Sequence, residues 1–314
     1  MNNIVIRRLL SLVPTAILGS MIIFSIVHFT PGGAAVAIGG PEASPEVIAR
    51  INAELGLDKP LPVQFGTWVW NLLHGEFGRS LISREHVSAL ILDRLPVTAT
   101  LATEALIIAL VLGIPLGIYA AVKRGSIADT TVTTLSGLTH ALPEFWVGML
   151  AVSLFALQLG WVQATGYTPI SAGLGAHLWS VALAAPTLAL GPLSIIVRFT
   201  RSSMVEALSG HYVRTAWALG LPAYQIYWRF ALKNAMIPIV TIIGIIAGSL
   251  IGGAVLVERV FAIPGIGDLL AESVLQKDFP VVQGATVVLM GGVIFINLIV
   301  DLLYVILDPR TRNA

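Results

Sequence analysis

The sequence predicts an all-α polytopic membrane protein with six transmembrane helices, both termini cytoplasmic, and a folded extracytoplasmic segment between helices 1 and 2. Three observations predict it. First, 56 % of the 314 residues are hydrophobic and only 11 % are charged, against about 25 % charged in a soluble globular domain. Mean hydropathy is +0.87. So little charge leaves a water-solvated surface uncovered, and disorder demands low hydrophobicity. Second, uncharged runs recur that reach the roughly 20 residues a helix needs to cross ~30 Å of hydrocarbon. Third, basic residues collect on alternate sides of those runs.

The first span is Leu9 to Phe29, within an uncharged stretch reaching Pro41. Arg7 and Arg8 before it, with small Ala35 and Ala37 after it, also fit a cleaved signal peptide. A signal core is only about 7–15 residues long, which favours a retained span. The second has its core at Ala105 to Val122, entered from Val97 and ended by Lys123-Arg124-Gly125. Phe145 to Val197 holds no charge over 53 positions. That is too long for one crossing, and Gly160 to His177, rich in glycine, is read as the loop between spans three and four. Asn234 to Val257 is span five and Phe279 to Leu307 is span six, interrupted only by Asp301. Backbone groups in lipid must be satisfied internally, so these runs are helices.

Orientation follows from the basic residues. The N-terminus, the 2–3 and 4–5 loops and the C-terminus hold Arg7, Arg8, Lys123, Arg124, Arg198, Arg201, Arg214, Arg229, Lys233, Arg310 and Arg312, which is 11 of the 18 Lys and Arg. Five others lie in the first outer segment, which is long enough to translocate regardless of charge. Both ends therefore face the cytoplasm.

Several function classes are excluded. A net charge of +1 argues against nucleic acid as a partner. Cysteine is absent, which removes disulfides, thiolate metal sites and cysteine nucleophiles. No Gly-Lys pair occurs, so a P-loop cannot form. The six His (28, 74, 86, 140, 177, 211) include no His-x-x-x-His pair, and no metal site is expected. Gly265-Ile266-Gly267-Asp268 spells an intramembrane aspartyl-protease motif. Yet Glu272, Gln276, Lys277 and Asp278 follow at once, so no apolar span holds Asp268 in the bilayer. No catalytic residue is assigned.

Two segments outside the lipid carry the most information. The outer one runs from about Thr30 to Leu95. Ser44 caps a helix through Leu55, with Pro45 at its first position and Gly56 at its end. A second helix, Pro62 to His74, closes at Gly75. Phe65, Trp68, Trp70 and Phe77 suit a membrane interface. This segment reads equally as a structural cap or as a docking surface for a soluble partner. The inner one is Arg201 to Met236: a helix Ser203 to Leu219, a break at Gly220, and a restart at Pro222 through Asn234. Its aromatics fit an amphipathic hairpin on lipid or a short helix docking into a partner's groove.

At this elbow, Arg214-Thr215-Ala216-Trp217-Ala218-Leu219-Gly220 resembles the EAA loop of ABC importer permeases. Arg-Thr stands for the Glu-Ala of the consensus, and Pro238 follows within Ala231-Leu232-Lys233-Asn234-Ala235-Met236-Ile237-Pro238. Both departures resemble the dipeptide/oligopeptide/nickel branch. Further matches run in order along nearly the whole chain: Arg7-Arg8-Leu9, Phe29-Thr30-Pro31-Gly32, Leu55-Gly56-Leu57-Asp58-Lys59-Pro60-Leu61, Gly75-Glu76-Phe77-Gly78-Arg79-Ser80, Val257-Glu258-Arg259-Val260-Phe261, Pro264-Gly265-Ile266-Gly267, and Asp301-Leu302-Leu303-Tyr304 with Leu307-Asp308-Pro309-Arg310.

The resemblance implies a permease subunit of an ATP-driven, binding-protein-dependent importer of peptides or similar solutes in a bacterial inner membrane. Its partners would be a second, related permease, two cytoplasmic ABC ATPases and an extracytoplasmic substrate-binding protein. No cofactor is bound by this chain, and ATP is used by the partner ATPases. One permease domain would span 1–314: span one to 29, the outer segment 30–95, spans two to four in 96–200, the coupling loop 201–236, and spans five and six in 237–314. The coupling residues are Tyr212, Arg214, Thr215, Ala216, Gly220 and Pro222. Charges inside spans are functional candidates. Glu144, after the bend-permitting Pro143, is assigned to the pathway; Glu258, with Pro264, Gly265 and Gly267, to the outer gate. Glu104 is expected to be solvated or helix-paired, and Asp301 to pair with a base. A stand-alone proton-coupled carrier is the alternative, and it leaves the elbow unexplained.

Overall fold

The structure, a computed structural model, describes residues 2–29, 35–36, 39 and 43–307, without the side chains of 2–11, 54–55, 301 and 303–307. The Thr30-Pro31-Gly32 and Asp308-Pro309-Arg310 motifs and the side chains of Arg7, Arg8 and Asp301 lie outside the described residues. Helices account for nearly all the regular structure, and among the described residues the only β pairing is an isolated bridge between Arg79 and His86. The helices are α1 (Asn2–Ser25), α2 (Pro45–Leu55), α3 (Leu61–Leu73), α4 (Val87–Val122), α5 (Ile127–Ala141), α6 (Glu144–Ala151), α7 (Leu174–Ser180), α8 (Ala184–Leu208), α9 (His211–Ala218), α10 (Leu232–Phe261), α11 (Ile266–Gln276) and α12 (Phe279–Leu307).

Among the described residues, three helical stretches are long and apolar enough to cross a membrane: α4, Ala223–Phe261 and Phe279–Val300. Two bent pairs raise the number to five if each pair is one span: α5 with Glu144–Gln158, bent by 97°, and α7 with α8, bent by 69°. The apolar part of α1 that is described, Leu12–Ser25, is shorter. Pro143 accounts for the sharper bend. Its ring prevents Leu142 from continuing α5, and Pro143 then sits as the N-cap of α6 at φ −62° and ψ 126°. The π-helical turn Val152–Gln158 extends α6.

Several predicted limits move. The second span is not entered at Val97. The helix runs through it from Val87, 36 residues in all, or about 54 Å at 1.5 Å per residue. That is longer than the hydrocarbon core, so α4 projects beyond it. The predicted loop Gly160 to His177 ends inside a helix, because α7, the first half of the second bent pair, already starts at Leu174. The helix α5 was not read from the sequence, since its five threonines mask any apolar period. At the elbow, α8 extends to Leu208 and breaks at Ser209-Gly210, ahead of Gly220. The helix after Pro222 does not stop at Asn234 but continues to Phe261. The free elbow is thus about 209–222, shorter than the predicted 201–236.

The chain divides into two compact units. One comprises Ala99–Ile263 and the residues from Phe295 onward. Its framework is α8 laid along α10, flanked by α5 and α6. Small residues allow close approach, as is usual where lipid supplies no hydrophobic drive between helices. A methyl on Gly117 of α4 would sit 2.6 Å from Thr200 Cβ and 2.8 Å from the Val197 carbonyl oxygen of α8. Ile118, Met204, Ala231, Ala235 and Ile239 form one apolar core there.

The other unit comprises Asn2–Thr98 and Pro264–Ile294. Here the expected caps are present. Ser44 Oγ accepts from the Val47 N–H, and Gly56 closes α2 at φ +65°. An apolar core joins Val87, Ile91, Ile266, Leu269, Val281 and Ala285. Asp278, buried, accepts from Ser80 Oγ at 2.5 Å and from the Leu81 N–H at 3.1 Å. That tie fixes the Gly78–His86 loop of the outer segment to the α11–α12 turn.

Candidate coupling and pathway sites

The elbow is built by its own small apolar core. Val213 and Ala216 of α9 are buried against Ile226, with Leu208, Leu221 and Tyr227 around them. Spacing of three puts Val213 and Ala216 on one face. Of the sequence-assigned residues, Ala216 therefore points inward, while Tyr212, Arg214, Thr215, Gly220 and Pro222 are exposed. Gly220 adopts φ +71° with open space where a Cβ would be, so glycine is needed for the backbone, not for room. Pro222 restarts the chain as the N-cap of the next turn. What the elbow presents outward is aromatic and aliphatic: Tyr212, Trp217 and Leu219 are between 39 % and 74 % exposed. An apolar face on a short projecting helix pair fits the groove of another protein.

Glu144 begins α6 and is half-buried. Its carboxylate stands beside two glycines of the central pair. A Cβ on Gly191 of α8 would clash with Oε1, and one on Gly253 of α10 would stand 3.7 Å from Oε2. The Gly191 backbone also hydrogen-bonds to it. The three helices α6, α8 and α10 thus meet at this carboxylate, which occupies the space that a side chain at Gly191 would take.

Glu258 is fully buried near the end of α10, and its carbonyl accepts from the Ala262 and Ile263 N–H groups. It belongs to the first unit, whereas Pro264, Gly265 and Gly267 belong to the second. Gly265 is the N-cap of α11, Gly267 is buried in its first turn, and Pro264 is half-buried. The Ile266 N–H donates to Thr98 Oγ1 at 2.9 Å, and Asp268 lies 3.9 Å from Arg94.

Two polar constellations escaped the sequence reading. Glu104 is neither solvated nor paired along its own helix. Its Oε1 meets His177 Nε2 at 2.6 Å, and His177 Nδ1 meets the Thr168 carbonyl at 2.6 Å. His177 is fully buried, with the Tyr167 ring edge-on at 5.5 Å. Burial raises the Tyr167 phenol above its ordinary pKa. A carbonyl only accepts, so Nδ1 carries a proton and one further proton is shared between Nε2 and Oε1. The only signal was a histidine inside a 53-residue uncharged stretch. The second constellation is Asp129 on α5, which takes a two-pronged contact from Arg201 of α8, at 2.5 Å from Nε and 2.7 Å from Nη2. Neither Asp129 nor its 72-residue separation from Arg201 stood out in the sequence.

The comparisons with known proteins identify the family. Residues 113–313 match the binding-protein-dependent transport system inner membrane component, and residues 1–102 match the N-terminal component of the same system. The chain belongs to that permease family. The permease is 41 % identical, over 99 % of both chains, to a peptide transport system permease protein of Brucella abortus (strain 2308). It is 40 % identical, again over 99 % of both, to the glutathione transport system permease GsiC of Salmonella choleraesuis. Among solved structures, its fold is similar to the MetNI methionine ABC transporter in inward-facing conformations, with TM-score 0.59 at 18 % identity, covering 70 % of this chain and 96 % of that one. It is therefore a multi-pass membrane component of an ABC importer, and the stand-alone carrier is set aside.

Proposed function

We propose that this permease forms half of the translocation pathway of an ATP-driven importer of peptides in a bacterial inner membrane. The observation that carries the reading is the elbow at 209–222, whose exposed Tyr212, Trp217 and Leu219 offer an apolar docking face outside every candidate span. A Gly-Lys pair, and with it a P-loop, is missing from the sequence, so the energy comes from ATP hydrolysed by two partner ATPases that grip this elbow. The chain itself binds no cofactor. A second, related permease completes the pathway, and a soluble binding protein delivers substrate at the outer segment near 30–95. Six crossings, counting α1 and each bent pair as one, put both termini on the cytoplasmic side, in line with the 11 inner basic residues.

Closure of the ATPases displaces the elbow, and the helices rock so that the pathway opens to one side at a time. Glu144 faces that pathway, and Glu258 with Pro264, Gly265 and Gly267 forms its outer gate. The relatives named for peptides and for glutathione support peptides as the substrate class. The test is affinity purification of the tagged chain from detergent-solubilised membranes, with Trp217→Asp and Leu219→Asp as elbow variants. An ATPase pair and a second permease are expected with the wild type, the ATPases being lost from the variants. ATPases retained in full by both variants would refute the elbow as their seat.

A further inference from the structure

We propose that the Asp129–Arg201 pair is a strut through which movement of the elbow is passed to the bent span α5–α6. The inference rests on the importer reading and adds a positioning pair to it. Arg201 lies on α8, two turns before the break at Ser209-Gly210, so it rides on the segment that runs directly into the elbow. A cation this close to the inner end of a span ordinarily snorkels to water. Arg201 instead turns inward, and its guanidinium fork meets both carboxylate oxygens of Asp129.

Asp129 is built to receive it. It sits in the first turn of α5, where the helix dipole favours a negative charge. It is 5 % exposed, and its Oδ2 also accepts from the Gly125 N–H at 3.0 Å. Ser126 caps the same turn by accepting from the Asp129 N–H. The carboxylate is thus held from its own side by the Lys123–Ser126 turn and from across by α8. A two-pronged contact fixes direction as well as distance, which a lysine in place of arginine would not.

The consequence lies in what α5 leads to. Its far end reaches the 97° bend at Pro143, after which α6 begins with Glu144 against Gly191 and Gly253. Helices α5 and α8 pack side by side along the first unit. A rigid ion pair near the elbow makes the inner ends of α5 and α8 move together. Displacement of the elbow then reaches the α5–α6 bend, and with it Glu144, instead of being lost as slip between α5 and α8. Asp129 and Arg201 are positioning residues in this scheme and need not touch substrate.

The experiment uses the whole reconstituted importer in proteoliposomes and reads peptide taken up per ATP hydrolysed. Asp129→Asn and Arg201→Gln are expected to lower that ratio by about tenfold, within the usual range of coupling between sites, while the ATPases still co-purify. Arg201→Lys, which keeps the charge, is expected to fall between them and the wild type. The chain has no cysteine, so an Asp129→Cys, Arg201→Cys variant joined by a short thiol crosslinker restores the ratio, and the same variant uncrosslinked does not. A ratio unchanged in all three single variants would overturn the strut, and so would a lowered ratio that the crosslink leaves low. Failure of the wild-type chain to retain ATPases would instead count against the importer reading itself.

Discussion

Replacing His177 with alanine should be among the most damaging single changes outside the elbow, and its cost follows from the geometry. Glu104 Oε1 has His177 as its partner at 2.6 Å, and Glu104 Oε2 is buried with no hydrogen-bond partner at all. His177→Ala therefore leaves a carboxylate with nothing to pair with and strips the Thr168 carbonyl of its donor. Removing one partner of a buried ion pair typically costs about 3–5 kcal/mol. Glu104→Leu should cost less, about 1–3 kcal/mol, because His177 keeps its bond to Thr168 and loses only the Nε2 contact. At about 2–4 °C per kcal/mol for a unit of this size, His177→Ala lowers the apparent melting temperature in detergent by roughly 6–20 °C. The double variant, Glu104→Leu with His177→Leu, should lie above His177→Ala, since it buries no unpaired charge. The assay is thermal unfolding of purified variants followed by intrinsic tryptophan fluorescence. A His177→Ala protein melting with the wild type, or below which Glu104→Leu falls, would refute the pairing.

Gly220→Val forces a β-branched residue to φ +71° at about 1–2 kcal/mol of local strain, so peptide uptake should fall while the protein remains in the membrane; uptake at the wild-type rate would remove the elbow assignment. Ala216→Leu overfills the Val213–Ile226 core, costing about 1–3 kcal/mol, and should weaken ATPase retention in a pull-down without changing any exposed residue. Glu144→Gln keeps the shape beside Gly191 and Gly253 but removes the charge, so uptake of peptides with a free amino terminus should drop relative to blocked ones; identical uptake of both would take Glu144 out of the pathway.

Much of the fold was readable because membrane physics is simple. Long uncharged runs marked the crossings, and the start of α12 at Phe279 and the capped helix Pro45–Leu55 fell where their flanking residues put them. The misreadings share a cause. Val97 was taken as the entry to the second span from local rules, yet α4 runs through it from Val87, and the helix read as Ser203 to Leu219 has an additional break at Ser209-Gly210 ahead of the one at Gly220. Helix α5 was hidden because Thr130, Thr131, Thr133, Thr134 and Thr139 carry no hydrophobic period; three of these hydroxyls bond the preceding turn of their own helix.

The sites divide in the same way. The elbow was legible because its residues lie within one short stretch and its packing face is a local spacing of three. The Glu104–His177 and Asp129–Arg201 pairs were not, since each joins residues more than 70 positions apart. A single sequence holds no record of which of its charges meet. Glu144 was singled out from its place after Pro143, but Gly191 and Gly253 beside its carboxylate stand on two other helices.

The most direct test of the whole account is uptake of a labelled peptide by proteoliposomes that contain the chain with its co-purified partners, binding protein outside and ATP within. The account predicts uptake that needs both the binding protein and ATP and is indifferent to a collapsed proton gradient. Uptake by the chain alone, without ATP and abolished by collapsing the gradient, would contradict it.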